Sequence, residues 1–124
     1  SGKPADILGF SVYRKAYNSF FHFYTPYPFP VWMYTLKADL VKKLGGKELM
    51  VTELQAEPWL SMEDSTEGSP AKQSSLFTPA DFQDNIYYVQ KMEFDEVYLW
   101  GVEWWYLMQK QGYPQYVEYA KTLF

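Results

Sequence analysis

Three short apolar runs, each followed by a longer stretch with its own pattern, constrain this chain more than any other feature. They are DILGFSVY (6–13), ELMVTE (48–53) and FDEVYLWG (94–101). Each is rich in strand formers and short enough for one strand. In the first, Leu8, Phe10 and Val12 would point one way. Ile7, Gly9, Ser11 and Tyr13 would point the other, giving a small face that ends in a tyrosine.

Helical patterns separate the runs. From Val31 to Leu44, the residues Met33, Leu36, Leu40, Val41 and Leu44 fall on one face. Lys42 and Lys43 suit the dipole at its end, and Gly45 and Gly46 supply the stop. Thr78, Pro79 and Asp81 form a helix start, continued by Phe82, Ile86 and Val89. A last helix is expected from Pro114 to Leu123, with Tyr116, Ala120 and Leu123 inward. The stretches 14–30, 54–77 and 102–112 read as loops. Strand–helix alternation predicts an α/β fold with parallel strands joined by crossovers. Loops after the strands are where such folds build their sites.

Three parallel strands alone leave two edges unpaired and one face uncovered. Aromatic residues make up 21% of the chain. This load suits either large core residues or stacking platforms in a cleft. Together these features suggest an absent partner layer: a missing half, or self-association. A third possibility is an independent α/β module.

Bulk properties narrow the function. With 124 residues, the chain has room for one domain. A net charge of −4 argues against nucleic acid as the main partner. No apolar run reaches the roughly 18 residues that span a bilayer. The N-terminal SGKPADILGF lacks the pattern of a signal peptide and reads as a loop entering a strand. The absence of cysteine excludes disulfides and thiolate metal sites but leaves the compartment open. His22 is the only histidine, which rules out a multi-histidine metal site and suits a structural role. Glu63, Asp64 and Glu67 do not have the spacing of an EF-hand loop and read as a solvated loop. Neither a phosphate-cradling glycine motif nor a Gly-x-Ser-x-Gly elbow occurs.

The chemistry concentrates in VTELQAEPW (51–59), where Glu53 closes an apolar run and Glu57 follows before Pro58 and Trp59. In an extended chain the two acids would lie roughly 13 Å apart. That is too far for a retaining carboxylate pair, which sits roughly 5 Å apart.

ILGFSVYR, VTELQAEPW and VYLWGVEWW, taken together, resemble strands six, seven and eight of the clan A, cellulase-like (β/α)8-barrel glycoside hydrolases. ELQAEPW with LWGVEWW looks like an uncharacterised group within them. The resemblance implies that residues 1–124 form the C-terminal part of a TIM barrel, incomplete alone. It implies Glu53 as nucleophile, Tyr13 as its hydrogen-bond partner and Trp100 as a sugar-stacking platform. Trp59, Trp104, Trp105, Glu57 and Glu103 are further candidates to line the cleft or contact substrate; alternatively, the tryptophans fill the barrel top, Glu57 shapes its loop and Glu103 pairs with a lysine. The acid/base carboxyl would lie on strand four, outside this chain. The chain alone is therefore expected to be inactive, and no cofactor is implied. The alternative is a non-catalytic carbohydrate-binding or structural barrel, whose carboxylates only hold sugar hydroxyls.

Overall fold

A computed structural model describes residues 7–27, 29–45, 48–66, 68–92 and 94–124. Residues 1–6, Pro28, Gly46, Glu67 and the side chain of Leu44, all within stretches used in the sequence reading, lie outside the described residues.

The fold is mixed α/β around a parallel three-stranded sheet. Its strands are β1 (Ile7–Val12), β4 (Glu48–Gln55) and β5 (Glu96–Trp100), in the order β1-β4-β5. The helices are α1 (Val31–Gly45), α2 (Met62–Thr66), α3 (Pro70–Leu76), α4 (Pro79–Gln90), α5 (Val102–Lys110) and α6 (Gln115–Ala120), followed by a 3-10 turn, Lys121–Leu123. A separate antiparallel hairpin pairs β2 (Lys15–Asn18) with β3 (Phe23–Pro26).

One sheet face supplies Val12, Val51 and Leu54 to the core. Phe82, Ile86 and Val89 of α4 meet them, with Trp105 of α5 and Ala120 of α6. The Phe82 ring stacks on Trp105 at 5.2 Å and meets the edge of Tyr119 at 5.0 Å. The start of α4 is fixed by a capping box. The Thr78 side chain accepts from the Asp81 N–H, and the Asp81 side chain accepts from the Thr78 N–H. On the opposite sheet face Ile7, Ser11, Thr52, Tyr98 and Trp100 are exposed.

Four stretches differ from the sequence reading. Residues 15–26 form the hairpin rather than a loop, because Asn18 Oδ1 accepts from the N–H groups of Phe20 and Phe21 and turns the chain. Tyr17 then packs against Tyr24 across the strands. Within 54–77, β4 continues to Gln55, and α2 and α3 follow. Ser69 caps α3 and Pro70 opens it. The stretch 102–112 is helix α5 and its cap. Trp104, Trp105 and Met108 share its buried side. Gly112 ends it in the left-handed region, with Tyr113 N–H donating to the Met108 carbonyl and Gly112 N–H to that of Gln109. Finally, α1 turns Val31, Tyr34 and Ala38 inward, while Leu36 and Leu40 are 61% and 55% exposed. Tyr34 sets that rotation by packing against Phe10 and Tyr88.

No helix among the described residues is long and apolar enough to cross a membrane.

Candidate functional site

A bulge in β4 decides where Glu53 points. Phe10 pairs with Val51, but the next residue of β1, Ser11, pairs with Glu53. On the other side Val51 pairs with Val97 and Leu54 with Leu99. The central strand therefore carries one residue more than its neighbours between Val51 and Leu54. Strict alternation would send Glu53 into the core after Val51. The extra residue lets Val51 and Leu54 both reach the core and leaves Glu53 beside Ser11. The bulge also pushes Thr52 against β1. A Cβ on Gly9 would lie 2.4 Å from Thr52 Cγ2, so the absence of a side chain there is what admits Thr52.

Glu53 Oε2 accepts hydrogen bonds from Tyr13 Oη at 2.8 Å and from Ser11 Oγ at 3.3 Å. Tyr13 is held in turn by the edge of Trp59, with ring centroids 4.6 Å apart. Burial, then the hydrogen bond to Glu53, then the charges of Glu53 and Glu57 push the Tyr13 phenol up to about 12. Tyr13 is therefore a hydrogen-bond donor throughout the neutral range.

Gln55, which the sequence reading did not single out, locks this arrangement. Its buried Oε1 accepts from the N–H groups of Arg14 and Lys15, both at 2.9 Å, and its Nε2 donates to the Lys15 carbonyl at 2.6 Å. The residues just after Tyr13 are thus tied to the residue two beyond Glu53. Asn85 Nδ2 donates to the Gln55 carbonyl at 2.8 Å, joining α4 to the same point.

The next residues pin β4 to β5. Ala56 N–H donates to the Trp100 carbonyl at 2.9 Å, and Trp105 Nε1 donates to the Ala56 carbonyl at 2.6 Å. Gly101 follows with φ 130°, and a Cβ there would come within 2.7 Å of Glu57 Cβ. Glu57 is thereby wedged against the strand-to-helix turn. Burial raises its carboxyl above the usual range; a hydrogen bond from Trp100 offsets part of this and the nearby Glu103 charge adds to it.

A cleft of about 460 Å³ opens above these residues, lined by Tyr13, Glu57, Trp59, Trp100, Trp104 and Leu107 among others. Trp59 and Trp100 are each 52% exposed and present indole surface to it. Trp104 is buried and its Nε1 donates to Gln73 at 2.8 Å. It belongs to the cleft floor and the core at once. Glu53 stands behind Tyr13, not on the lining itself. Glu103, in the first turn of α5, is exposed and outside the lining, and reaches the site only through its charge on Glu57.

The remaining acidic residues do not join the site. Asp64 is buried, not solvated as expected. It accepts from Tyr24 Oη at 2.6 Å and Ser61 Oγ at 2.9 Å, and pairs with Lys72. Lys72, Tyr24 and Ser61 together hold its carboxyl down at about 2. This network ties the hairpin to α2 and α3. His22 lies at the hairpin turn in the left-handed region, with Nδ1 3.2 Å from Tyr17 Oη.

No protein family matches this chain, and no curated protein or solved structure does either.

Proposed function

We propose that this chain carries the nucleophile side of a glycoside-hydrolysing site, built as the C-terminal part of a (β/α)8 barrel. The observation that carries the reading is the Tyr13–Glu53 hydrogen bond at the ends of adjacent parallel strands, next to a cleft with two exposed indoles. In this reading one Glu53 oxygen attacks the anomeric carbon as the glycosidic C–O bond breaks. The leaving oxygen takes its proton from an acid outside this chain. Water then cleaves the glycosyl ester, giving its proton back to that group. Tyr13 and Ser11 orient Glu53, and Trp100 and Trp59 pack against the apolar face of the sugar.

In the complete barrel, Glu53→Gln should lower turnover of an activated aryl glycoside by roughly 10³-fold or more while the fold persists. Unchanged turnover would sink the assignment.

The exposure of Trp59 and Trp100 also fits a second reading, a binding site without chemistry. Saccharide binding by the complete barrel without turnover of any glycoside would favour it.

A further inference from the structure

The cleft is one-sided in charge. Glu57 lines it, Glu53 stands behind Tyr13, and Glu103 lies close enough to raise Glu57. No Lys, Arg or His belongs to the cleft lining among the described residues. The cations near this end of the sheet are engaged elsewhere. Lys15 pairs with Asp81, and Arg14 lies over the Tyr88 ring with its guanidinium directed to Asp84 and Asn85.

Glu57 cannot easily swing away from a ligand. The turn at Gly101 lies so close that a Cβ there would fall 2.7 Å from Glu57 Cβ, the Trp100 indole favours its charged carboxylate, and Pro58 and Trp59 follow it along the lining. We propose that Glu57 sets the charge selectivity of this cleft, admitting uncharged saccharides and turning away those that carry a carboxylate. The inference rests on the carbohydrate reading above and adds a selectivity residue to it. A neutral ring offers hydroxyls that donate to Glu57. A uronic acid brings a second anion beside Glu57, into an aromatic-lined cleft where no Lys, Arg or His of the described lining can receive it.

The groups facing Glu57 fix the direction of its pH dependence. They are Trp100 of β5, Glu103 of α5 and Tyr13 beyond β1. Burial and Glu103 raise its carboxyl, so Glu57 takes up its proton at higher pH than an ordinary glutamate as the solution is acidified. Exclusion of a carboxylate ligand therefore relaxes on mild acidification.

The test is binding to the complete barrel, read by tryptophan fluorescence and by amide shifts of this chain's residues. The probes are a panel of neutral hexose oligosaccharides and the same oligosaccharides oxidised to uronic acids at C6. At about pH 7 the neutral member should bind about tenfold or more tightly than its uronic partner. Glu57→Gln should shrink that gap several-fold, and Glu57→Asp, which keeps the charge, should retain it. Lowering the pH should shrink the gap in the unaltered protein without any substitution. Equal or tighter binding of the uronic member would overturn the inference and leave the carbohydrate reading standing. So would a gap that Glu57→Gln leaves intact. Failure of every saccharide to bind would overturn both.

Discussion

Forty residues of sequence separate Tyr13 from Glu53, yet the Tyr13 hydroxyl donates to Glu53 Oε2 at 2.8 Å. Two features bring them together. The bulge at Thr52 and Glu53 turns the acid out of the core, and Gln55 fixes the backbone immediately after the tyrosine. The first is a feature of the backbone and the second a side-chain amide that holds backbone, and both can be disturbed without touching either member of the pair.

The bulge depends on space at Gly9. Gly9→Val should destabilise the protein by about 1–3 kcal/mol, because its side chain would overlap the Thr52 methyl. Thr52→Ala in the same chain should recover most of the loss. Urea denaturation of the two single variants and the double variant measures this coupling. Additive losses would mean that Gly9 and Thr52 do not compete for one space.

Tyr13 should leave a mark at alkaline pH. Its phenol is raised to about 12, so the fold favours the neutral form. The contribution of Tyr13 to stability is complete below about pH 10, the unfolded-state value, and is lost as pH rises toward 12. Other raised tyrosines share this region, Tyr34 and Tyr116 among them. The comparison must therefore be with Tyr13→Phe, whose stability should fall less steeply between those limits. Parallel curves for the two proteins would refute the assigned environment. Glu53→Gln should bring the phenol only part of the way back, since burial is the largest cause of its shift.

How much of this was legible in the sequence varies by element. The three strand runs and the capped helix from Pro79 were readable, because each carries an uninterrupted local signal. Ser69–Pro70 repeats the cap signal of Thr78–Pro79, yet α3 is only seven residues long and its polar sequence merges with the loop-like stretch 54–77. The spacing of Trp104, Trp105 and Met108 is helical, but only Gly101 separates the strand from the helix that carries them. The bulge has a sequence trace of its own. Core positions run Leu49, Val51, Leu54, so the period of two breaks where the extra residue sits. The inward face of α1 left no such trace. It follows the partners of Tyr34, which only the tertiary structure supplies. Within the site, Glu53, Tyr13 and Trp100 are singled out in the sequence by the strand-end positions that the resemblance picks out, and the structure places them at or next to the ends of β4, β1 and β5. Gln55 was missed because a buried amide serving backbone groups has no motif.

The open sheet face and the outer edges of β1 and β5 carry a further expectation. Among the described residues neither edge has a second strand partner, and Ile7, Tyr98 and Trp100 are exposed on the open face. Such a sheet seeks a cover. Analytical ultracentrifugation across a concentration series should show dimers or larger species that give way to a one-to-one complex when the barrel half proposed above is supplied. A monomer at every concentration, with protected sheet amides and no affinity for that half, would establish an independent module instead.

The central claim is that Glu53 attacks an anomeric carbon, and covalent trapping tests it most directly. A 2-deoxy-2-fluoro glycoside with a dinitrophenyl leaving group needs no acid to depart and yields a long-lived glycosyl-enzyme ester. Incubating the complete barrel with a panel of such glycosides, followed by peptide mass spectrometry, should place one glycosyl unit on Glu53. Glu53→Gln should abolish it, and Tyr13→Phe should slow its formation. An ester on any other residue, or labelling that survives Glu53→Gln, would contradict the account.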